Sequence, residues 1–348
     1  MTNSWRDLGI LILILNLYLG EVTLRTKKIH QLTGYAKIYL GKKGYYLMII
    51  AFVIFSYGAL VAYILKIGEF LHAILNPLLG GSIMLYSILF FILAFFIVFE
   101  GVRFIEKSET LMVFLMFGAL IIITILSIPS LNFSNLTELN LKNFFLPYGV
   151  VLFALAALPA IPEINEELRK NKKDLKKIII IGSLIPIVTY AIFALIVVGV
   201  TGVNTSDGSI LGLANILGKN ILVLGSFFGI LTMGTSFIAV AFALREMYTF
   251  DYGLNKKNSS FISCIIPLII VLLIVNFNIQ NAFFHVLDIT GTFGGSLEGI
   301  LILLIWKKAK YKGNRKPEYS ISDNKFISLL LTVMFILGVI FELVRLFF

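Results

Sequence analysis

Ten apolar runs, each long enough to cross a lipid bilayer, follow one another along the 348 residues of this chain. A helix needs about 20 predominantly apolar residues to span the hydrocarbon core. The composition is 59% hydrophobic with a mean hydropathy of +0.96, far more apolar than a soluble domain. No ten-residue alternation typical of a transmembrane barrel occurs, so the runs predict helices. The predicted spans are residues 8–24, 45–65, 82–99, 111–128, 147–168, 178–200, 221–244, 260–277, 283–306 and 326–347.

The basic residues divide unevenly between the loops that connect these spans. If successive loops lie on alternate sides, all but five of the 29 Lys and Arg residues fall on one side. The positive-inside rule places these basic loops in the cytoplasm and both termini outside, in a multi-pass protein of the cell membrane. The net charge of +10 therefore reflects topology and attraction to lipid head groups, and it implies no nucleic acid partner. The five exceptions are Arg6, Lys66, Lys142, Lys219 and Arg345.

The fifth predicted span contains two prolines three residues apart, Pro159 and Pro162, followed directly by Glu163. A proline inside a helix removes a backbone donor and clashes with the preceding turn, so this span is expected to be kinked or broken. Lipid tolerates a broken helix only where protein or a water-lined cavity surrounds it. A kinked helix that serves packing alone is the alternative.

Acidic residues inside the spans are candidates for gating or proton coupling, because ionisable groups are costly at membrane depth. Glu21 lies four residues before Arg25, which predicts an ion pair on one helix face. Asp288 and Glu298 both lie on the ninth span, where either could face a solvated cavity or take up a proton. His285, one turn before Asp288, is either its partner or an ordinary interface residue.

Glycines recur at intervals of four along the same ninth span, at Gly291, Gly295 and Gly299. This small-residue strip predicts close approach of another helix.

Adjacent hydroxyls on the seventh span, Thr235 and Ser236, are suited to binding a hard cation through oxygen. The alternative is that both bond back to carbonyl groups of their own helix.

No catalytic motif accompanies these features. The sequence has no G-x-S-x-G, H-E-x-x-H or P-loop pattern and no His or Cys cluster with metal-ligand spacing. It therefore predicts neither an enzyme nor a resident cofactor or metal.

Two stretches resemble a known family of transporters. Residues 153–168, with the pattern F-A-x-x-x-x-x-A-I-P-E-I-x-E-E-L, resemble the sixth helix of amino acid permeases of the amino acid/polyamine/organocation superfamily. The amino acid/auxin permeases and the bacterial tryptophan and tyrosine permeases are the most similar branches. Residues 16–26, NLYLGEVTLRT, and residues 30–44 resemble the second helix and the cytoplasmic segment after it. The resemblance covers nearly the whole chain in span order.

The resemblance implies an all-α polytopic membrane protein with a LeuT-like five-plus-five inverted repeat, in one transmembrane domain over residues 1–348. Residues 1–128 would be the remainder of the first repeat, 147–306 the second repeat and 326–347 an extra helix. An amino acid would bind beside discontinuous helices near the midplane. Sodium or protons would be the coupling ion. The implied substrate residues are Phe153, Ala154, Leu155, Ala156 and Ala157, with Tyr57 by position; Thr235 and Ser236 match an ion-binding pair.

The predicted topology runs the fifth span from outside to inside, which places Glu163 near the cytoplasmic end as a gate or helix-end residue rather than a substrate ligand. The first family helix, with its Gly-rich break, has no match here, because the chain begins at what resembles the second helix. The expected function is ion-coupled amino acid transport by alternating access, with a hydrophobic or aromatic substrate as a further expectation. The alternative is a non-transporting nutrient-sensing receptor subunit or a truncated remnant of the same fold. A homo-oligomer or a partner that supplies the absent helix also stays open.

Overall fold

A computed structural model describes residues 2–100, 105–137, 147–168, 171–205 and 209–347 of the chain. Ten segments within these ranges are helical, long and apolar enough to cross a membrane, and they match the ten predicted spans. The fold class, an all-helical multi-pass membrane protein, is therefore confirmed. The α-helices of the described residues are α1 Thr2–Arg25, α2 Leu32–Leu79, α3 Ile83–Glu100, α4 Ile105–Ser127, α5 Tyr148–Leu155, α6 Ala160–Glu167, α7 Leu175–Thr201, α8 Ser209–Leu217, α9 Lys219–Glu246, α10 Lys256–Asn276, α11 Ala282–Ile289, α12 Ser296–Lys312 and α13 Lys325–Phe347.

The helix α2 is the central element of the bundle. It packs against α3, α9, α10, α11 and α12, and most of its residues between Ala51 and Gly68 are buried. It is much longer than the second predicted span, because helical structure begins at Leu32 and continues to Leu79. Gly41 interrupts it with φ +76°, a left-handed conformation that glycine adopts without steric cost. The residues before Gly41 form a separate short helical piece at the predicted cytoplasmic end.

The fifth span is broken where its prolines stand. In an α-helix Pro159 could not donate to the carbonyl of Leu155, and its ring would clash with that carbonyl, so α5 ends at Leu155. Ala156 is extended, with φ −76° and ψ 101°, and α6 begins at Ala160. Pro162 is tolerated because it lies in the first turn of α6, where backbone N–H groups have no partner within the helix.

The ninth span is also irregular, because a π-helical segment, Thr290–Gly295, lies between α11 and α12. A Cβ on Gly291 would meet the backbone carbonyl of Gly149 on α5, so these two helices touch backbone to backbone. A Cβ on Gly299 would meet the ring of Phe335 on α13. The glycine strip therefore packs against two different helices. Such π-helical segments often occur at functional sites.

We expect Gly291→Ala to destabilise the folded protein, because its Cβ could be accommodated only by moving the backbone of α5. Overpacking of this kind costs about 1–3 kcal/mol or more. Gly118→Ala on α4 is the control, since a Cβ there meets nothing within 4 Å. Thermal unfolding of the detergent-solubilised variants measures the difference. Equal melting temperatures for the two variants would contradict the packing described here.

Candidate functional site

The helix break exposes backbone groups in the middle of the bundle. The hydrogen-bond series of α5 ends with the N–H of Ala156 donating to the carbonyl of Leu152 at 3.0 Å. It resumes with the N–H of Ala160 donating to the carbonyl of Ala157 at 3.1 Å. Within the described residues, no backbone N–H that follows the break donates to the carbonyls of Phe153, Ala154 or Leu155. Freed carbonyls at a discontinuous helix are suitable partners for an ammonium group or a cation.

One side of the break carries an aromatic cluster of Phe55, Tyr63 and Phe153. The ring centroid of Phe153 lies 5.5 Å from that of Phe55 and 6.0 Å from that of Tyr63, both on α2. The Tyr63 hydroxyl lies beside that of Ser236 on α9 and near Tyr190 on α7. Four helices, α2, α5, α7 and α9, therefore meet at this cluster. Centroid distances of 4.5–7 Å are those at which aromatic rings attract each other.

The other side of the break faces a small cavity between α1, α5 and α7. Ala154, Leu155, Ala156 and Ala157 line it together with Asn16 and other residues of α1 and α7. Its volume is about 60 Å³, enough for water but far below the 300–1,000 Å³ range of small-molecule sites. Five of the six predicted substrate residues therefore lie together at the break, with Phe153 on the aromatic side and the others along this cavity.

Tyr57, the sixth predicted substrate residue, lies elsewhere. Its hydroxyl is 2.8 Å from that of Tyr248, just after the end of α9, and donates to the carbonyl of Ile262 near the start of α10 at 3.3 Å. Tyr63 is the α2 tyrosine that packs on Phe153. The two tyrosines are six residues apart and differ by about 240° around the helix at 3.6 residues per turn. The sequence offered no signal for choosing between these faces.

The predicted ion-binding hydroxyls are part-buried on α9. Thr235 donates to the carbonyls of Leu231 and Thr232, both at 3.0 Å, and Ser236 donates to that of Thr232 at 2.9 Å. These bonds are the back-bonding alternative recognised in the sequence. A hydroxyl that donates in this way keeps lone pairs with which it can still accept a cation.

The acidic candidates near the predicted cytoplasmic end are both engaged. Glu21 is fully buried and accepts hydrogen bonds from Arg25, Trp306, Ser320 and the backbone N–H of Ile321 at 2.8–2.9 Å. The ion pair with Arg25 that the spacing predicts is present. Glu21 thereby ties α1 to α12 and to the segment before α13. Its saturated carboxylate fits a structural role.

Glu163 lies in a polar cluster at the same end. The side-chain amide of Gln31 lies 3.4 Å from the Glu163 carboxylate and 3.1 Å from the carboxylate of Glu246. This amide joins α6 to the end of α9 through the residue that precedes α2. Sequence reasoning missed Gln31 and Glu246, because nothing in the sequence indicates that these distant segments meet.

The two acids of the ninth span differ sharply. Asp288 binds Arg345 of α13 at 2.8 Å, and Arg345 also binds Glu342 at 2.9 Å. Asp288 therefore has an arginine partner that the sequence did not suggest. Glu298 is fully buried, and neither carboxylate oxygen has a hydrogen-bond partner within the described residues. An ionised carboxylate in that position would be very costly, which makes Glu298 the candidate with the clearest functional signal.

No group of three or more His, Cys, Asp or Glu residues that could hold a metal ion occurs among the described residues. The candidate site therefore consists of freed carbonyls, aromatic rings, hydroxyls and one isolated carboxyl. Freed carbonyls can accept hydrogen bonds from a cationic group, and aromatic rings can pack on an apolar ring.

Comparison with curated proteins finds no match to this chain. A protein-family model described as the tryptophan/tyrosine permease family matches residues 8–342. The match begins in the first span and ends in the tenth. The match and the ten helical spans together indicate a multi-pass membrane permease rather than an enzyme. The chain belongs to the tryptophan/tyrosine permease family.

Proposed function

We propose that this protein is a proton-coupled transporter of aromatic amino acids that works by alternating access in a five-plus-five inverted-repeat fold. The observation that carries the proposal is the break in the fifth span beside the aromatic cluster. The match to the tryptophan/tyrosine permease family supports the aromatic substrate. The superfamily resemblance of residues 153–168 supports the repeat architecture.

The substrate would be held by two kinds of contact at the break. Its ammonium group would lie against the freed carbonyls of Phe153, Ala154 and Leu155. Its ring would enter the cluster of Phe55, Tyr63 and Phe153, in which rings already pack at favourable distances. The tight packing and the small neighbouring cavity represent a state that must open before substrate enters.

Alternating access requires a barrier on each side of the break. The Gln31 amide between the Glu163 and Glu246 carboxylates supplies one at the predicted cytoplasmic end. These bonds join α6, which moves with the break, to α9 and to the start of α2. Opening to the cytoplasm would separate Glu163 from this cluster.

Glu298 would carry the coupling proton. The structure offers no cation or hydrogen-bond donor to its ionised form within the described residues, so the buried carboxyl is expected to hold its proton. Among the charged groups on the helices packed against α12, Glu21 on α1, Lys66 on α2 and Arg345 on α13 are engaged in ion pairs of their own. Solvation of Glu298 in another state would release the proton.

The first test is uptake of radiolabelled tryptophan and tyrosine by liposomes that contain the purified protein. We expect Phe153→Ala to raise KM about tenfold, because it removes an aromatic contact worth about 0.5–1.5 kcal/mol together with buried apolar area. Phe96→Ala on α3 is the control, since Phe96 is 62% exposed in the absence of lipid and lies away from the break. Absence of uptake of any amino acid by folded wild-type protein would contradict the proposed function.

The second test concerns coupling. Glu298→Gln replaces the carboxyl with a neutral amide of nearly equal size, so it should abolish accumulation driven by an acidic exterior and leave substrate exchange intact. Wild-type uptake should rise as external pH falls, whereas the variant should show no such dependence. Glu318→Gln, in the loop before α13, is the control. A variant that still concentrates substrate with the pH gradient would remove Glu298 from the mechanism.

Replacing sodium separates the two coupling ions. If protons drive transport, uptake should be unchanged when choline replaces Na⁺, and Thr235→Ala with Ser236→Ala should keep its response to the pH gradient. The reason is that a proton-coupled mechanism would use these hydroxyls only in the hydrogen bonds that they donate within their own helix. Loss of uptake in choline would favour sodium binding at this hydroxyl pair.

A further inference from the structure

Lys66, near the predicted outer end of α2, is buried although a lysine at the end of a membrane span ordinarily extends into water. Its side chain is only 10% exposed. The ammonium group lies 5.1 Å from the ring centroid of Phe283 and 5.6 Å from that of Phe70. Its one ion-pair partner among the described residues is Glu69, at 2.6 Å.

Lys66 and Glu69 form part of the wall of a cavity of about 380 Å³ between α2, α3, α8, α10 and α11. This volume is within the range of small-molecule sites. Phe283 of α11 and Leu211 of α8 also line the cavity. The Glu69 side chain is 42% exposed, so the carboxylate is open to the cavity while the lysine is covered.

The turn between α10 and α11 gives the cavity a polar rim. Asn278 and Asn281 both have φ +51°, a left-handed conformation that asparagine tolerates better than other side-chain-bearing residues. Backbone hydrogen bonds fix the turn, including those from Asn278 to Val275 at 3.1 Å and from Phe284 to Asn281 at 3.0 Å. Both asparagines line the cavity and are solvent-exposed, so their amides are available to a ligand.

We propose that this cavity is an outer recognition site for the substrate zwitterion, in which Lys66 binds the α-carboxylate, Glu69 binds the α-ammonium and Phe283 packs on the aromatic ring. The site rests on the proposed function, because it takes the same aromatic amino acid. A zwitterion matches an adjacent cation and anion better than any singly charged solute does. The aromatic ring has a surface in Phe283, which already lies beside the lysine.

The position of the cavity agrees with entry from outside. Lys66 follows Tyr63 by three residues on α2, which is about 4.5 Å along the axis at 1.5 Å per residue. The site therefore lies about one helical turn outward of the aromatic cluster at the break. A substrate bound there would be next to the central site before that site opens.

The experiment compares Lys66→Met, Glu69→Gln and the double variant with Lys219→Met. Methionine keeps the apolar stem of the lysine, and Lys219 is an exposed lysine at the same end of the bundle that does not line the cavity. Tryptophan binding to purified full-length protein is measured by calorimetry and tryptophan uptake in liposomes. We expect each single variant to weaken binding and raise the uptake KM about tenfold, with Vmax nearly unchanged, and Lys219→Met to match wild type.

The double variant distinguishes a ligand site from a structural ion pair. If Lys66 and Glu69 only neutralise each other, removing both should restore wild-type behaviour, because no unpaired charge is left. If they bind substrate, the double variant should be at least as impaired as either single variant. If Lys66→Met does not fold, Glu69→Gln is measured together with its melting temperature, since Glu69 is partly exposed. Weaker tryptophan binding at an unchanged melting temperature would support the site, and unchanged binding would overturn it.

Tryptamine, which lacks the carboxylate, tests the assignment of Lys66 directly. Lys66→Met should weaken competition by tryptophan and leave competition by tryptamine unchanged. An equal loss of competition by both ligands, or rescue by the double variant, would overturn the proposed outer site. The proposed function would still stand in that case if the wild-type protein transports tryptophan. Lys66-dependent tryptophan binding without any uptake would support the site and contradict transport. Neither binding nor uptake would overturn both.

Discussion

The requirement that every backbone N–H and C=O find a partner away from water shapes this protein throughout. Nearly all of the spans meet it with continuous helical hydrogen bonds. Pro159 cannot donate one, so α5 ends at Leu155 and leaves carbonyls unpaired within the bundle. Around the break, α5 packs against α1, α7, α11 and the π-helical segment Thr290–Gly295, which supply the protein surroundings that a broken helix needs in a bilayer. The absence of a backbone N–H at Pro159 thus leaves polar carbonyl groups inside an apolar bundle.

A buried charge also needs partners away from water. This requirement distinguishes acids with a structural role from acids that can take up or release a proton. Glu21 is fully buried and accepts from four donors, which stabilises its ionised form and fixes α1 against α12. Glu298 is equally buried and has no such donors among the described residues. The sequence predicts a partner for Glu21 alone, because Arg25 follows it by four residues. The other donors to Glu21 come from distant parts of the chain and have no signal in the sequence.

The spans and the helix break were predictable from sequence, because each depends on residues that are close together in the chain. Apolar length fixes a span, and a proline fixes where hydrogen bonds stop, as at Pro159. Helix faces were not predictable, because α2 is apolar on most sides and shows no periodic stripe that would separate Tyr57 from Tyr63. Long-range pairs such as Asp288 with Arg345, 57 residues apart, also have no local signal. The second predicted span stops at residue 65 because Lys66 and Glu69 end the apolar run, whereas α2 continues to Leu79.

The helix α2 connects the proposed outer site, the proposed central site and the inner polar cluster. Lys66 lies at the outer cavity, Tyr63 and Phe55 lie at the break, and Gln31 immediately precedes the helix at the inner polar cluster. The helix is continuous from beyond Gly41 to Leu79, so these outer and central positions lie on one helix and would keep their relative positions if it moved as a unit. The interrupted helices α5–α6 and α11–α12 lie against it and contain the non-helical or π-helical residues that can change conformation. Motion is therefore expected in the broken spans, with α2 as the fixed surface against which substrate is passed inward.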